Sequence, residues 1–167
     1  MIRKSESAAV DFILLNAVSI AKAEVMPYAA RNILNHNRFM KAILLVGTGG
    51  FIGSVLRYLC AAWVFRIFDK PWFPAGTLAV NLLGCLVIGV LGGVAEQRRV
   101  FDQEVRLFIF VGILGGFTTF SAFAYETATL LRDARPLGAW LNVGLQVFLG
   151  LLMVWLGGLL SRLAPTP

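Results

Sequence analysis

From about residue 42 onward the chain alternates long apolar runs with short polar ones. The runs cover roughly 42–65, 75–95, 107–131 and 137–160, and charge and proline collect in the dividers between them. Those dividers are 66–74, with Arg66, Asp69, Lys70 and Pro71, then 96–106 and 132–136. About 20 helical residues cross the ~30 Å of bilayer hydrocarbon. Each run therefore predicts one transmembrane helix, and connections this short leave no room for a soluble domain. The expected fold is all-α, four membrane-spanning helices.

The third run contains an irregularity. Gly115 to Phe123 reads Gly-Gly-Phe-Thr-Thr-Phe-Ser-Ala-Phe in the middle of apolar sequence. In hydrocarbon every backbone polar group must be paired, so glycine and threonine together at this depth predict a break in the helix, lining protein or a watery cavity. Ionisable groups at mid-membrane cost about 2.5 to 3.5 kcal/mol on insertion scales, and the spans hold few polar residues. Arg57 lies two-thirds along the first run, Asn81 about two turns into the second, Glu126 late in the third, and Asn142 and Gln146 on one face of the fourth. Asn81 must find amide partners across a helix interface or in a pore. Asn142 and Gln146 either join helices or continue a polar track.

Composition agrees with the class. Hydrophobic residues make up 58% and charged ones 14%, and mean hydropathy is +0.77, values of an integral membrane protein. Trp63, Trp72 and Trp140 fall at helix ends of one face, as an interfacial belt does. Gly49 with Gly53, and Cys85 with Gly89, place small residues four apart, the spacing of close helix packing. Cys60 and Cys85 lie inside predicted helices, which argues against a disulfide framework. A lone histidine, His36, with no Cys or carboxylate cluster argues against zinc, haem or iron. No nucleophile and base pair and no phosphate loop points to an enzyme, and nothing points to nucleic acid.

Residues 1–39 differ from the rest, carrying Arg3, Lys4, Lys22, Arg31 and Arg38 among apolar stretches too short to span. Met40 then precedes the first run, so 1–39 reads as an N-terminal extension, either upstream of the true start, or flexible, or an amphipathic surface-lying helix, or a cleaved targeting segment, and 40–167 as the membrane domain. Excluding the extension, one face of the bundle carries Lys41, Arg98, Arg99, Arg106 and Arg162, and the other carries Arg66, Lys70, Arg132 and Arg135. Five against four is almost no positive-inside bias. A chain so balanced inserts in both directions, which predicts a dual-topology antiparallel homodimer.

Three ordered blocks resemble the Fluc (CrcB) family of fluoride channels: Gly47-Thr48-Gly49-Gly50-Phe51-Ile52-Gly53 with Arg57-Tyr58, Gly76-Thr77-Leu78 with Asn81-Leu82-Leu83-Gly84, and Gly112 to Ser121 with Phe123 and Glu126. The similarity spans about 42–160. It implies passive, electrogenic export of cytoplasmic fluoride across the cell (inner) membrane by an antiparallel homodimer. It also implies a structural sodium ion at the dimer interface, held by the backbone carbonyls of Gly115 and Thr118 from both subunits. On the same resemblance Asn81, Phe120 and Phe123 form the fluoride pathway, with Thr119, Ser121 and Arg57 contributing. Phe120 and Phe123 share a helical face, and their ring edges carry the positive part of the aromatic quadrupole. Pore-facing positions of the fourth helix often hold hydroxyls in that family, whereas this chain offers Asn142 and Gln146. The extension has no counterpart there.

The alternative is a proton-coupled exporter of the small multidrug type, also a four-helix inverted dimer. It needs a membrane-embedded carboxylate, for which Glu126 is the sole candidate.

Overall fold

The computed structural model describes residues 36–68, 72–98 and 101–163. The N-terminal extension, 1–39, therefore lies almost wholly outside the described residues. By internal contacts the chain divides at residue 43, and of the first unit the described part, 36–43, is helical. All four predicted spans are present as helices. They run Arg38–Ile67, Ala75–Glu96, Gln103–Arg132 and Pro136–Leu163, each long and apolar enough to cross a bilayer. The protein is a multi-pass, all-helical membrane protein.

Helix α1 is His36–Ile67 and α2 is Ala75–Arg98. The third span begins with α3, built of Gln103–Arg106, Leu107–Leu114 and Gly115–Phe117, and ends with α4, Phe120–Arg132. The fourth span is α5, built of Pro136–Gly144, Leu145–Leu149 and Gly150–Leu163. Its start is favoured by Pro136 at a position where the missing N–H costs nothing. Asp102 starts α3 by accepting the Val105 amide at 2.8 Å. Helix α4 closes in a paired-carbonyl cap, with Arg135 N–H on Leu130 O at 2.9 Å and Ala134 N–H on Leu131 O at 3.2 Å. This cap requires a left-handed residue, and Ala134 supplies it at φ 55°.

Small residues decide which helices touch. A methyl group on Gly49 of α1 would lie 2.6 Å from the Phe108 carbonyl oxygen and 2.9 Å from the Gly112 Cα, and one on Gly53 would run into the Ile113 carbonyl. Helices α1 and α3 thus meet backbone to backbone. On α2, Gly89 lies against the Val154 backbone of α5, and Cys85 faces Gly150, whose added Cβ would sit 3.6 Å from the sulfur. Both pairs of small residues spaced four apart are therefore packing contacts. Among the described residues the buried apolar set is small, Val64, Val80, Ala95, Leu114, Leu130 and Ala139. Large apolar side chains such as Phe51, Trp63, Trp140 and Phe148 stay exposed, as lipid-facing positions do.

Candidate functional site

Two helical donors are redirected between α3 and α4. Thr118 (φ −81°, ψ 156°) and Thr119 (φ −149°, ψ 113°) are both extended. In a continuous helix the Thr119 N–H would go to the Gly115 carbonyl and the Ala122 N–H to the Thr118 carbonyl. Instead the Thr119 N–H donates to Asn81 Oδ1 at 2.9 Å, and the Ala122 N–H donates to Thr119 Oγ1 at 3.2 Å. The carbonyls of Gly115 and Thr118 thereby lose their ordinary helical donors. Gly115 is exposed in the single chain.

Asn81 closes this segment from α2. Its Nδ2 donates to the Thr119 carbonyl and to Gln146 Oε1, each at 3.1 Å. One amide thus ties the second, third and fourth spans together. Thr119 Oγ1 lies 3.2 Å from Ser121 Oγ. Phe120 and Phe123 meet edge to face, with centroids 5.4 Å apart and planes at 62°. Phe120 is 77% exposed in the single chain, so its ring is open to a further partner.

Asn81, Gly115, Thr118, Thr119, Phe120, Phe123 and Gln146 border one cavity of about 420 Å³. Six of the eight residues singled out in the sequence are thus neighbours. The other two are Ser121, which adjoins the cavity through Thr119, and Arg57, which is half-buried on α1 and does not border it. Among the described residues, neither a charged side chain nor a carboxylate lines this space. A second cavity, of about 700 Å³, is bordered by Tyr58, Trp72, Thr77, Glu126, Asp133 and Arg135. Thr77 and Asn81 are four residues apart on one face of α2, about 6 Å along its axis, which sets the two cavities one helical turn apart.

Glu126 does not reach for the interface. Its Oε1 accepts from the Thr77 hydroxyl at 2.6 Å, and its side chain is only partly exposed. Asn142 and Gln146 have separate duties despite sharing a face. Asn142, 0% exposed, donates to Thr127 Oγ1 at 2.9 Å and joins α5 to α4, while Gln146 points to Asn81. Thr77 and Thr127 were not anticipated. Thr77 carried a signal, its spacing of four from Asn81. Thr127 carried none, because it turns its hydroxyl hydrogen to the Phe123 carbonyl as an ordinary helical threonine does.

The chain matches the family model described as CrcB-like protein, Camphor Resistance (CrcB), over residues 44–158. It is 46% identical over 124 residues to the fluoride-specific ion channel FluC of Chlorobaculum tepidum, covering 74% of this chain and 97% of that protein. To the FluC of Geobacter sulfurreducens it is 43% identical over 123 residues, 74% of this chain and 98% of that one. To FluC 1 of Methanosarcina acetivorans it is 40% identical over 118 residues, 71% and 88% of the two chains. The matched residues begin in the first span and end in the fourth, so the likeness takes in the whole helical bundle and the site within it, and the chain belongs to the CrcB family.

Proposed function

We propose that this protein is a fluoride-selective channel through which cytoplasmic fluoride leaves the cell passively and electrogenically. The observation that carries the reading is the match to proteins named fluoride-specific ion channels along nearly their whole length. The chemistry of the site supports it. Fluoride is small and strongly hydrated, so a conducting path replaces its water with several weak partners and holds none of them tightly. The 420 Å³ cavity offers the ring edges of Phe120 and Phe123, the Thr119 hydroxyl and side-chain amides, with no cation to trap the ion. Asn81 frames this space, Ser121 extends it through Thr119, and Arg57 adds positive potential on the approach. Thr77 and Glu126 continue the polar line toward the larger cavity.

The working unit is an antiparallel homodimer in the cell membrane, a reading supported by the balanced count of basic residues at the two faces and by the open Gly115 and Phe120. Gly115 and Thr118, with their carbonyls relieved of helical donors, suit a hard alkali cation, which prefers oxygen ligands. Two copies would supply four such oxygens to one structural sodium. Bound there, the ion would neutralise carbonyls that otherwise face one another across the interface. The interruption of the third span at Thr118 and Thr119 is what makes those carbonyls available.

The test is fluoride efflux from liposomes holding the purified protein, followed with a fluoride electrode. Fast efflux that needs a potassium ionophore, and no chloride efflux, is the expected result. Efflux that instead requires a proton gradient sinks the channel reading.

A further inference from the structure

Helix α2 holds the break in the third span at two points on one face. Asn81 is the first, through its bonds to Thr119. The second is Gly84, three residues further on, which is buried and borders the 420 Å³ cavity together with Thr118. A Cβ at position 84 would run into the Thr118 methyl group and would lie 3.5 Å from Phe117 Cδ1. The absent side chain of one residue is thus the seat for the methyl of the other.

That seat matters because the other groups of Thr118 are committed. The wide, π-type turn of Leu107–Leu114, like that of Leu145–Leu149 in α5, has given way to the ordinary α pattern by Thr118. Its N–H and its hydroxyl both donate to the Leu114 carbonyl, each at 3.0 Å. The hydroxyl bond fixes the rotamer of this branched side chain, so the methyl cannot swing aside without breaking it. The peptide that follows is fixed as well, since the Thr119 N–H meets Asn81 Oδ1 at 2.9 Å. In a trans peptide the C=O and the N–H point opposite ways, so the Thr118 carbonyl points away from Asn81. On the other side, α1 pins the same segment two residues earlier: a Cβ on Gly116 would lie 2.6 Å from the Gly50 carbonyl oxygen.

We infer that Gly84 is a positioning residue for the cation site: by seating the Thr118 methyl it holds in place the carbonyl that would bind sodium. The inference rests on the sodium reading above, and Gly84 itself touches no ion.

Gly84→Ala and the double variant Gly84→Ala with Thr118→Ser test it, as purified full-length protein in detergent at one protein concentration. Serine keeps the hydroxyl and lacks the methyl, so in the double variant the alanine methyl takes the space that the threonine methyl left. Melts followed by tryptophan fluorescence are recorded across a sodium series at constant ionic strength, with N-methylglucamine as the replacing cation. The melting temperature is level below the dissociation constant and climbs with the logarithm of sodium above it, so the onset of the climb reads affinity apart from intrinsic stability. The expected onset is roughly tenfold or more higher in Gly84→Ala than in the parent, and within about threefold of the parent in the double variant. A glycine that only packs would lower every melting temperature and leave the onset unmoved. A Gly84→Ala onset within about threefold of the parent overturns the inference, and so does a double variant that binds no tighter than Gly84→Ala. If Gly84→Ala does not fold, the double variant decides: a folded protein with the parental onset supports the inference, and one that also fails to fold overturns it. A parent whose melting temperature is indifferent to sodium sinks the sodium reading, and the inference with it.

Discussion

Asn81→Asp changes a single atom of side-chain chemistry and should be among the most damaging substitutions in the bundle. The bond from the Thr119 N–H to Oδ1, at 2.9 Å, survives it. The two bonds from Nδ2 do not, and a carboxylate oxygen comes to face the Thr119 carbonyl and Gln146 Oε1, each 3.1 Å from the atom it replaces. Side-chain hydrogen bonds between membrane helices average about 0.6 kcal/mol and reach ~1.7, so two lost bonds remove about 1 to 3 kcal/mol. A charge placed within a span costs about 2.5 to 3.5 kcal/mol more on insertion scales. The charge therefore decides the outcome, and the sum, about 3.5 to 6.5 kcal/mol, is comparable with the lower part of the ~5 to 15 kcal/mol that holds a typical domain together. Unfolding titrations in mixed detergent and dodecyl sulfate micelles, followed by tryptophan fluorescence, measure the loss directly and independently of transport. An unfolding free energy within 1 kcal/mol of the parent would refute the reasoning, since Asn81 would then not be the staple described here.

Adding a methyl group at Gly53, where it meets the Ile113 carbonyl, should abolish a monodisperse size-exclusion peak, whereas Gly47→Ala, with open space at its Cβ position, should elute as the parent does. Ala134→Gly relieves a left-handed alanine at φ 55° and should stabilise the protein by up to about 1 kcal/mol in the same micelle titration. Glu126→Gln should retain ionophore-dependent fluoride efflux above a tenth of the parent rate, because a passive pore needs no proton exchange; complete loss would favour the exporter. Replacing sodium by potassium throughout purification should lower the melting temperature of the purified protein, and equal values in the two salts would argue against a structural sodium at Gly115 and Thr118.

Hydropathy alone located all four spans, because the bilayer sets their length and removes most alternatives to a helix. The ends moved for local reasons. The third span starts at Gln103 because Asp102 caps it. Asn81 drew notice as a lone amide in hydrocarbon, yet its partners lie 38 and 65 residues away, a pairing no local pattern carries. For the same reason Asn142 and Gln146 looked equivalent: their spacing of four puts them on one face, while the neighbouring helices decide that one meets Thr127 and the other Asn81. The π-type turns left no mark in composition, since Leu107–Leu114 is as apolar as any membrane helix.

The ties made by Asn81 also bear on how the chain is put into the membrane. A ribosome delivers the second span before the third, so the asparagine is already in the bilayer when Thr119 arrives with an N–H that no helix will pair. Each such group stranded in lipid costs several kcal/mol. An earlier segment thus acts as the chaperone of a later one, and the order of synthesis matches the order of need. Glycosylation mapping of truncated nascent chains should find the third span inserting efficiently behind the natural second span and poorly behind one carrying Asn81→Leu. Gln146 enters last, so the cavity is completed only when the whole polypeptide has left the translocon, and a prematurely terminated chain would be a membrane protein without a finished conduction path.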